Sequence, residues 1–537
     1  MILDNSVLNN LDAWKSKGYG VPEYDRAKVT ANTKANPFWI HFGAGNIFRA
    51  FQANQMQNML NAGKIDRGIV VAEGFDYEII EKINRPHDDL GVAVTLKADG
   101  NIEKNIVGSV VESLVLDRDN AEQFNRLKEI FANDSLQMAT FTITEKGYAT
   151  QAPDGKVLPW VAADFEAGPE KASGYLGKVC ALLYHRFKSG AKEIAMVSMD
   201  NCSHNGDKLK AAMEVHAKTW LEAGLVEKEF VDYVLDPKKV SYPWTMIDKI
   251  TPRPDAKVQE MLVADWGDEM KPVVTSKNTY VAAFVNAEEC EYLVIEDDFP
   301  NGRPNLEDAG FYFTDRETVE KTERMKVCTC LNPLHTCLAV FGCLLGYELV
   351  SEEMKNETLV KLVKEIGYNE GLPVVVNPGI LSPKEFIDSV VEKRIPNPFM
   401  PDTPQRIACD TSQKVGIRFG ETIKAYAKDD KLNVTDLKRI PLVFAGWMRY
   451  LMGINDAGES FEQSPDPLLE TLKDKLKDVK FGDSSDANIA PIKEVLSMDS
   501  IFGVNLYEVG LGETVETYFK EMNAGKGAIL DTLKKYA

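Results

Sequence analysis

Short apolar runs in the first part of the chain stop at glycine or polar clusters and alternate with longer helical stretches. Residues 37–42 are one such run and predict a buried strand. Gly43 and Gly45 follow, and a helix is expected from Asn46 to about Leu60, with Gly63 near its end. Residues 68–73 predict a second buried strand that finishes on Glu73. Residues 92–97 and 102–111 flank Ala98-Asp99-Gly100, a hairpin signal. Residues 136–144 and 193–199 predict further core strands, each running into polar residues: Thr144-Glu145-Lys146-Gly147-Tyr148 and Asp200-Asn201-Cys202-Ser203-His204-Asn205-Gly206. The turn-rich stretch from Asp297 to Pro304 marks a domain boundary, beyond which helical periodicity dominates, as at 437–452 and 467–477. The pattern predicts an α/β domain over residues 1–300 and a mostly α-helical domain over 301–537, with no internal repeat.

The glycine turn suggests a chemistry. Gly43 and Gly45 permit a tight turn and close approach of a diphosphate to the backbone. A helix starting at Asn46 would offer free N–H groups and its dipole to that anion. Gly43, Ala44, Gly45, Asn46, Ile47, Phe48 and Arg49 are therefore the candidate cofactor-binding turn, although Phe48 stands where the G-x-G-x-x-G pattern has its third glycine. An acid about 20–30 residues further on can accept hydrogen bonds from ribose hydroxyls and repel a 2′-phosphate. Glu73 fits that place, with Asp76 as second candidate, which predicts NAD rather than NADP; an ordinary solvated acid at a strand end is the alternative. Strand-end polar clusters suit ligand binding, since ligands in open α/β sheets sit beyond the carboxyl ends of strands.

Length and charge narrow the class. A chain of 537 residues holds two or three domains, and its net charge of −20 argues against nucleic acid or an anionic membrane as partner. No run of 18 apolar residues and no charged-then-apolar leader is seen, and eight irregularly spaced cysteines suit reduced thiols in a cytoplasm. Cys328, Cys330, His335 and Cys337 crowd together, as zinc ligands do. Residues two apart on a helix point about 200° apart, however, so Cys328 and Cys330 cannot converge there. Buried helical cysteines and no metal are expected.

Taken in order, these segments resemble the mannitol dehydrogenase family, the polyol-specific long-chain dehydrogenases that include fructuronate and tagaturonate reductases. The resemblance rests on Gly43-Ala44-Gly45 with Arg49, on residues 142–148, Asp200-Asn201, residues 246–252 and 294–297, on Lys326, Asn332 and His335, and on Arg406 with residues 410–414. It implies an N-terminal Rossmann-type domain, a mostly helical C-terminal domain with catalysis in the cleft between them, and metal-free hydride transfer between NAD(P) and a sugar carbon. It also implies the roles. Lys326 is the acid/base, which needs a pKa lowered by burial or nearby positive charge. Asn332 and Asn201 donate to the oxygen that becomes alkoxide-like, His335 orients substrate hydroxyls, and Glu145 connects the lysine to solvent. Arg406, Lys414 and Asp248 line the substrate site, Asp248 being read as an acid at a helix start; a surface loop with balanced charges is the plain alternative for the basic pair.

One departure from the family's pattern has a structural consequence. Four residues usually separate the lysine from the asparagine, and here Val327-Cys328-Thr329-Cys330-Leu331 makes five. Each residue of an α-helix turns about 100°, so the extra one swings Lys326 away unless it is absorbed. Either a π-bulge restores the phase, or Asn332 caps a new helix with Pro333 at its first position. The expected activity is an NAD-dependent reductase of a keto group in a linear sugar or sugar acid. Fructuronate/mannonate ranks first; fructose/mannitol and tagaturonate are alternatives. An oxidative decarboxylase and a non-catalytic NAD-binding protein are the rivals.

Overall fold

Six parallel strands form the central sheet: β1 (Trp39–Phe42), β2 (Ile69–Glu73), β3 (Val110–Val115), β4 (Met138–Phe141), β5 (Ile194–Ser198) and β6 (Val240–Ser241). Their spatial order is β3-β2-β1-β4-β5-β6. That order reverses direction at β1, so β1 and β4 diverge in their connections and leave a crevice at their carboxyl ends. Every residue of β1, β2, β4 and β5 is buried, which is why these strands read as continuous apolar runs. Alternate side chains enter two different cores. Ile40, Phe42, Val70, Ala72, Ala139 and Phe141 join one cluster, while Trp39, Ile69, Val71, Met138, Ala195 and Val197 join the other.

The computed structural model describes residues 2–537. The chain divides into two units, one comprising Met1–Leu96 and Asn101–Val319, the other Lys97–Gly100 and Glu320–Ala537. Among the described residues, three smaller sheets, of four, three and two strands, complete the first unit. The predicted hairpin is present, Gly91–Leu96 pairing antiparallel with Ile102–Val107. The run read as 102–111 breaks at Gly108-Ser109, however, and its continuation becomes β3 of the main sheet. A three-stranded sheet of Thr245–Asp248, Tyr292–Glu296 and Tyr312–Thr314 carries strand structure past the 297–304 stretch.

Among the described residues, the second unit contains helices and no named strand. The predicted helices appear as Arg439–Leu451, almost wholly buried, and Leu469–Leu476. The run Arg316–Leu345, helical apart from a break at Leu331, is long and apolar enough to cross a membrane by length and composition, but most of its apolar window is buried inside the protein. Six π-helical segments occur among the described residues, including Phe48–Gln52, Lys326–Cys330 and Gly416–Gly420. Such wide turns are rare and collect at functional places.

Candidate functional site

In the first unit the site is built around the end of β1. Gly43 has φ +109°, and a Cβ there would lie 2.3 Å from the Thr142 carbonyl oxygen. Only glycine fits that position. Gly45 is different: a Cβ on it would meet nothing within 4 Å. The helix begins at Asn46 as expected, and its first turn presents N–H groups that have no helical acceptor. Phe48 takes the third glycine's place within a π turn and stacks on His41 at 4.0 Å. Burial holds the His41 pKa down to about 3, so this imidazole is neutral core. Arg49 donates to the Ala282 carbonyl at 2.8 Å. Its guanidinium lines a cavity of about 30 Å³ together with Asn84, Asp89 and Gly91, room for a water or two.

Both candidate acids are buried at the end of β2. Glu73 accepts from Ala44 N–H at 2.8 Å and from the N–H groups of Phe75 and Asp76 at 2.8 and 3.2 Å. It thus clips the glycine turn to the next strand. Burial pushes its carboxyl up while those backbone donors hold it down. Asp76 accepts from the Thr275 hydroxyl at 2.6 Å through Oδ2, and its Oδ1 has no partner. A buried acceptor without a donor is costly, so this oxygen suits a ligand hydroxyl. Glycine turn, helix start, buried carboxylates and this orphaned oxygen together fit an adenine dinucleotide.

The loops after β4 and β5 are tied to each other. Asp200 accepts from Ile143 N–H and Thr144 N–H, both at 2.9 Å, and from the Tyr148 hydroxyl at 2.6 Å. Burial nevertheless raises its pKa. Thr144 sits at φ 67°, ψ 157°, a region that β-branched residues avoid. The clamp therefore holds a strained turn, and the next residue is Glu145. Glu145 is exposed and pairs with Lys208 at 2.7 Å. Asn201 is exposed on the loop after β5. Asp248 is buried and ends a strand, Thr245–Asp248, which corrects its reading as an acid at a helix start. Alternation of Thr245, Met246 and Ile247 is too short to reveal that strand.

In the second unit, Lys326 is buried, only 4% exposed, which excludes a solvated surface lysine. It opens a π turn, Lys326–Cys330, closed by Leu331 N–H donating to the Lys326 carbonyl five residues back at 3.1 Å. The extra residue is absorbed there. Leu331 leaves helical geometry (φ −128°, ψ −62°), and the Asn332–Leu345 helix begins at once. Asn332 is its first helical residue and not its cap, so its half-buried side-chain amide is not used in capping. Leu331, and not Asn332, therefore stands at the cap position of the second helix. His335 is half-buried one turn on. Cys328, Cys330 and Cys337 are buried free thiols, raised by burial, to about 11 and 12 for the first two. No group of three or more His, Cys, Asp or Glu side chains is placed to hold a metal among the described residues.

The basic residues fall into two kinds. Arg406 is exposed and paired with Asp402. Lys414 donates to the Cys409 carbonyl, and burial, with Arg418 nearby, lowers its pKa. Arg418, one turn beyond Lys414, was not singled out from the sequence. Its Nη1 donates to the Thr336 hydroxyl at 2.5 Å, and that hydroxyl donates to the Asn332 carbonyl at 2.9 Å. The Lys-x-x-x-Arg spacing of 414 and 418 was the available signal, because it places two cations on one helical face. Asp200 lay inside a quoted cluster, yet nothing local distinguished it from its neighbours.

Comparison with known proteins adds the following. The family model for the mannitol dehydrogenase Rossmann domain matches residues 38–308, and that for the mannitol dehydrogenase C-terminal domain matches residues 318–523. A D-mannonate oxidoreductase of Thermotoga maritima is 52% identical, the alignment covering 100% of this chain and 99% of that protein. A mannitol 2-dehydrogenase of Emericella nidulans is 29% identical over 93% of this chain and 92% of its own. Among solved structures, a D-sorbitol dehydrogenase in substrate-free form superposes with TM-score 0.78 at 25% identity, covering 98% of this chain and 99% of that one. The Pseudomonas fluorescens mannitol 2-dehydrogenase, solved as a ternary complex with NAD and D-mannitol, gives 0.66 at 25% identity, covering 100% and 99%.

Proposed function

Because the chain belongs to the mannitol dehydrogenase family, we propose that it is an NAD-dependent oxidoreductase interconverting D-mannonate and the keto acid D-fructuronate. The observation that carries this reading is the full-length, 52% identity to a D-mannonate oxidoreductase. Mannitol 2-dehydrogenase activity is the second reading, favoured by the relatives of that name.

When bound, the nicotinamide accepts or supplies the hydride. The chain's residues hold the cofactor and move the proton. Gly43, Ala44, Gly45, Asn46, Ile47 and Phe48 offer a turn and helix start to the diphosphate, and Arg49 ties that helix to the Ala282 carbonyl. Asp76 Oδ1 accepts from a ribose hydroxyl, with Glu73 beside it; both carboxylates oppose a 2′-phosphate, hence NAD over NADP. Lys326 takes the proton from the hydroxyl on the carbon that gives up hydride during oxidation and returns it to the ketone oxygen during reduction. It is buried, out of bulk water, and the acid/base role requires that it spend time as the neutral amine. Asn332 and Asn201 donate to the same oxygen as negative charge develops. His335 and Asp248 orient the remaining hydroxyls, Lys414 and Arg406 bring positive charge to an acidic substrate, and Glu145 passes the proton to water.

A panel of mannonate, altronate, mannitol and arabinitol with NAD and NADP tests the assignment. NADH formation with mannonate is expected, and strong mannitol turnover with none on mannonate would reverse the two readings. Lys326→Met should lower kcat by about 10²–10⁴ with NAD affinity preserved; unchanged turnover would contradict the acid/base role.

A further inference from the structure

The second unit contains a guanidinium with almost nothing to hold it. Two buried arginines of this chain, Arg186 and Arg26, show how such a group is ordinarily satisfied. Arg186 donates to the carbonyls of Phe131, Asn133, Leu136, Lys192 and Glu193. Arg26 donates to Gly108, Val110 and Asp88 carbonyls and to Asn5. Arg418 makes one hydrogen bond, to the Thr336 hydroxyl, and no carboxylate pairs with it among the described residues. Five N–H donors are available on an arginine, so most of this fork is unused. Desolvation alone, with no acid nearby, holds its pKa down to about 10. A desolvated cation without a counter-charge costs free energy that an anionic ligand would recover.

The surroundings are rigid and chemically apt. Arg418 lies in the π turn Gly416–Gly420. A Cβ on Gly416 would lie 2.8 Å from the Ile501 carbonyl oxygen, and one on Gly420 would lie 2.1 Å from that of Phe502. Those glycines press the turn's backbone against the 501–503 segment. Phe419 locks it further by an edge contact with Phe444 at 5.7 Å. The same turn packs against Lys326–Cys330 and against the Asn332–Leu345 helix. Through Thr336 its guanidinium is anchored one turn along the helix from Asn332. Arg406, by contrast, is exposed and shares its charge with Asp402.

We propose that Arg418 is the specificity-determining residue that binds the carboxylate of the substrate, so that this protein selects a linear sugar acid over the corresponding neutral sugar. The free N–H groups form charge-assisted, two-point hydrogen bonds to the two carboxylate oxygens, while Thr336 fixes the plane of the fork. Lys414 adds positive charge from the preceding turn. The proposal rests on the sugar-acid reading given above.

The test is steady-state reduction, with NADH, of a 2-keto uronic acid and of the neutral 2-ketohexose with the same carbon configuration. It compares wild-type protein with Arg418→Met and Arg418→Lys. Expected for Arg418→Met is a loss of about 100-fold in kcat/KM on the acid, carried mainly by KM, with less than about threefold change on the neutral sugar. Arg418→Lys retains charge but loses the fork and should fall between, by about 10-fold on the acid only. Should Arg418→Met fail to fold, Arg418→Lys decides by the same acid-to-neutral ratio. Equal losses on both sugars by folded variants overturn the proposal while the reductase assignment stands. Wild-type protein that does not reduce the acid at all overturns the underlying reading instead.

Discussion

Replacing Asp200 by asparagine, alone and together with Thr144→Gly, probes the clamp between the loops after β4 and β5. Asp200 accepts three hydrogen bonds, two of them from Ile143 and Thr144 N–H. Asparagine keeps the shape but turns one acceptor into a donor, so one N–H loses its partner and the others lose charge assistance. A lost partner costs about 1–3 kcal/mol when buried, and less here because Thr144 is exposed enough for water to substitute. A cost of about 1–2 kcal/mol follows. Thr144 at φ 67°, ψ 157° stores about 1–3 kcal/mol of strain. Glycine relieves it but adds about 0.5–1 kcal/mol of unfolded-state entropy, leaving Thr144→Gly neutral to about 2 kcal/mol stabilising. Because Asp200 holds a conformation that threonine resists, the two changes must couple. In the Thr144→Gly background, Asp200→Asn should cost about 1 kcal/mol less than in wild type. Denaturant unfolding of the four proteins in the cycle measures this. Strict additivity would refute the idea that the clamp holds strain. The same cycle read in kcat would show whether the turn positions Glu145.

Further outcomes follow from other sites. Gly43→Ala should destabilise by at least about 2 kcal/mol, since its φ is +109° and its new methyl meets the Thr142 carbonyl. Gly45→Ala should fold normally yet bind NAD at least about 10-fold more weakly, a split readable from melting curves with and without NAD; equal behaviour of the two would undo the turn's assignment. Asp76→Asn should weaken NAD binding and narrow the preference over NADP, which titration of both cofactors checks. Glu353 is fully buried with neither carboxyl oxygen partnered, and burial holds its pKa well above the ordinary range. A raised folded-state value means its stability is complete at acid pH and is lost as pH rises, at up to about 1.4 kcal/mol per unit above the unfolded pKa. Glu353→Gln should therefore lose less stability than wild type between about pH 5 and 8; parallel melting-temperature profiles would contradict this.

Much of the first unit was legible because its strands are short, wholly buried and bounded by turns. Residues 37–42 and 68–73 needed no partner to be recognised, since both faces of a parallel sheet are covered. The break at Gly108-Ser109 was hidden because strands on either side of it share one composition while joining different sheets. At the candidate site, spacing pointed to Gly43 and Glu73, and the family resemblance pointed to Lys326. It could not show that Glu73 is engaged by Ala44 while Asp76 keeps an open acceptor. Nor could it tell Arg418 from Arg406, because pairing with Asp402 or the lack of any acid is a property of folded neighbours.

The wide turn at Lys326–Cys330 separates one long helix into two independently laddered halves. A length change between lysine and asparagine is thereby insulated from the side chains that fill the interior on either side. A gain or loss of one residue at this point would leave both flanking registers intact.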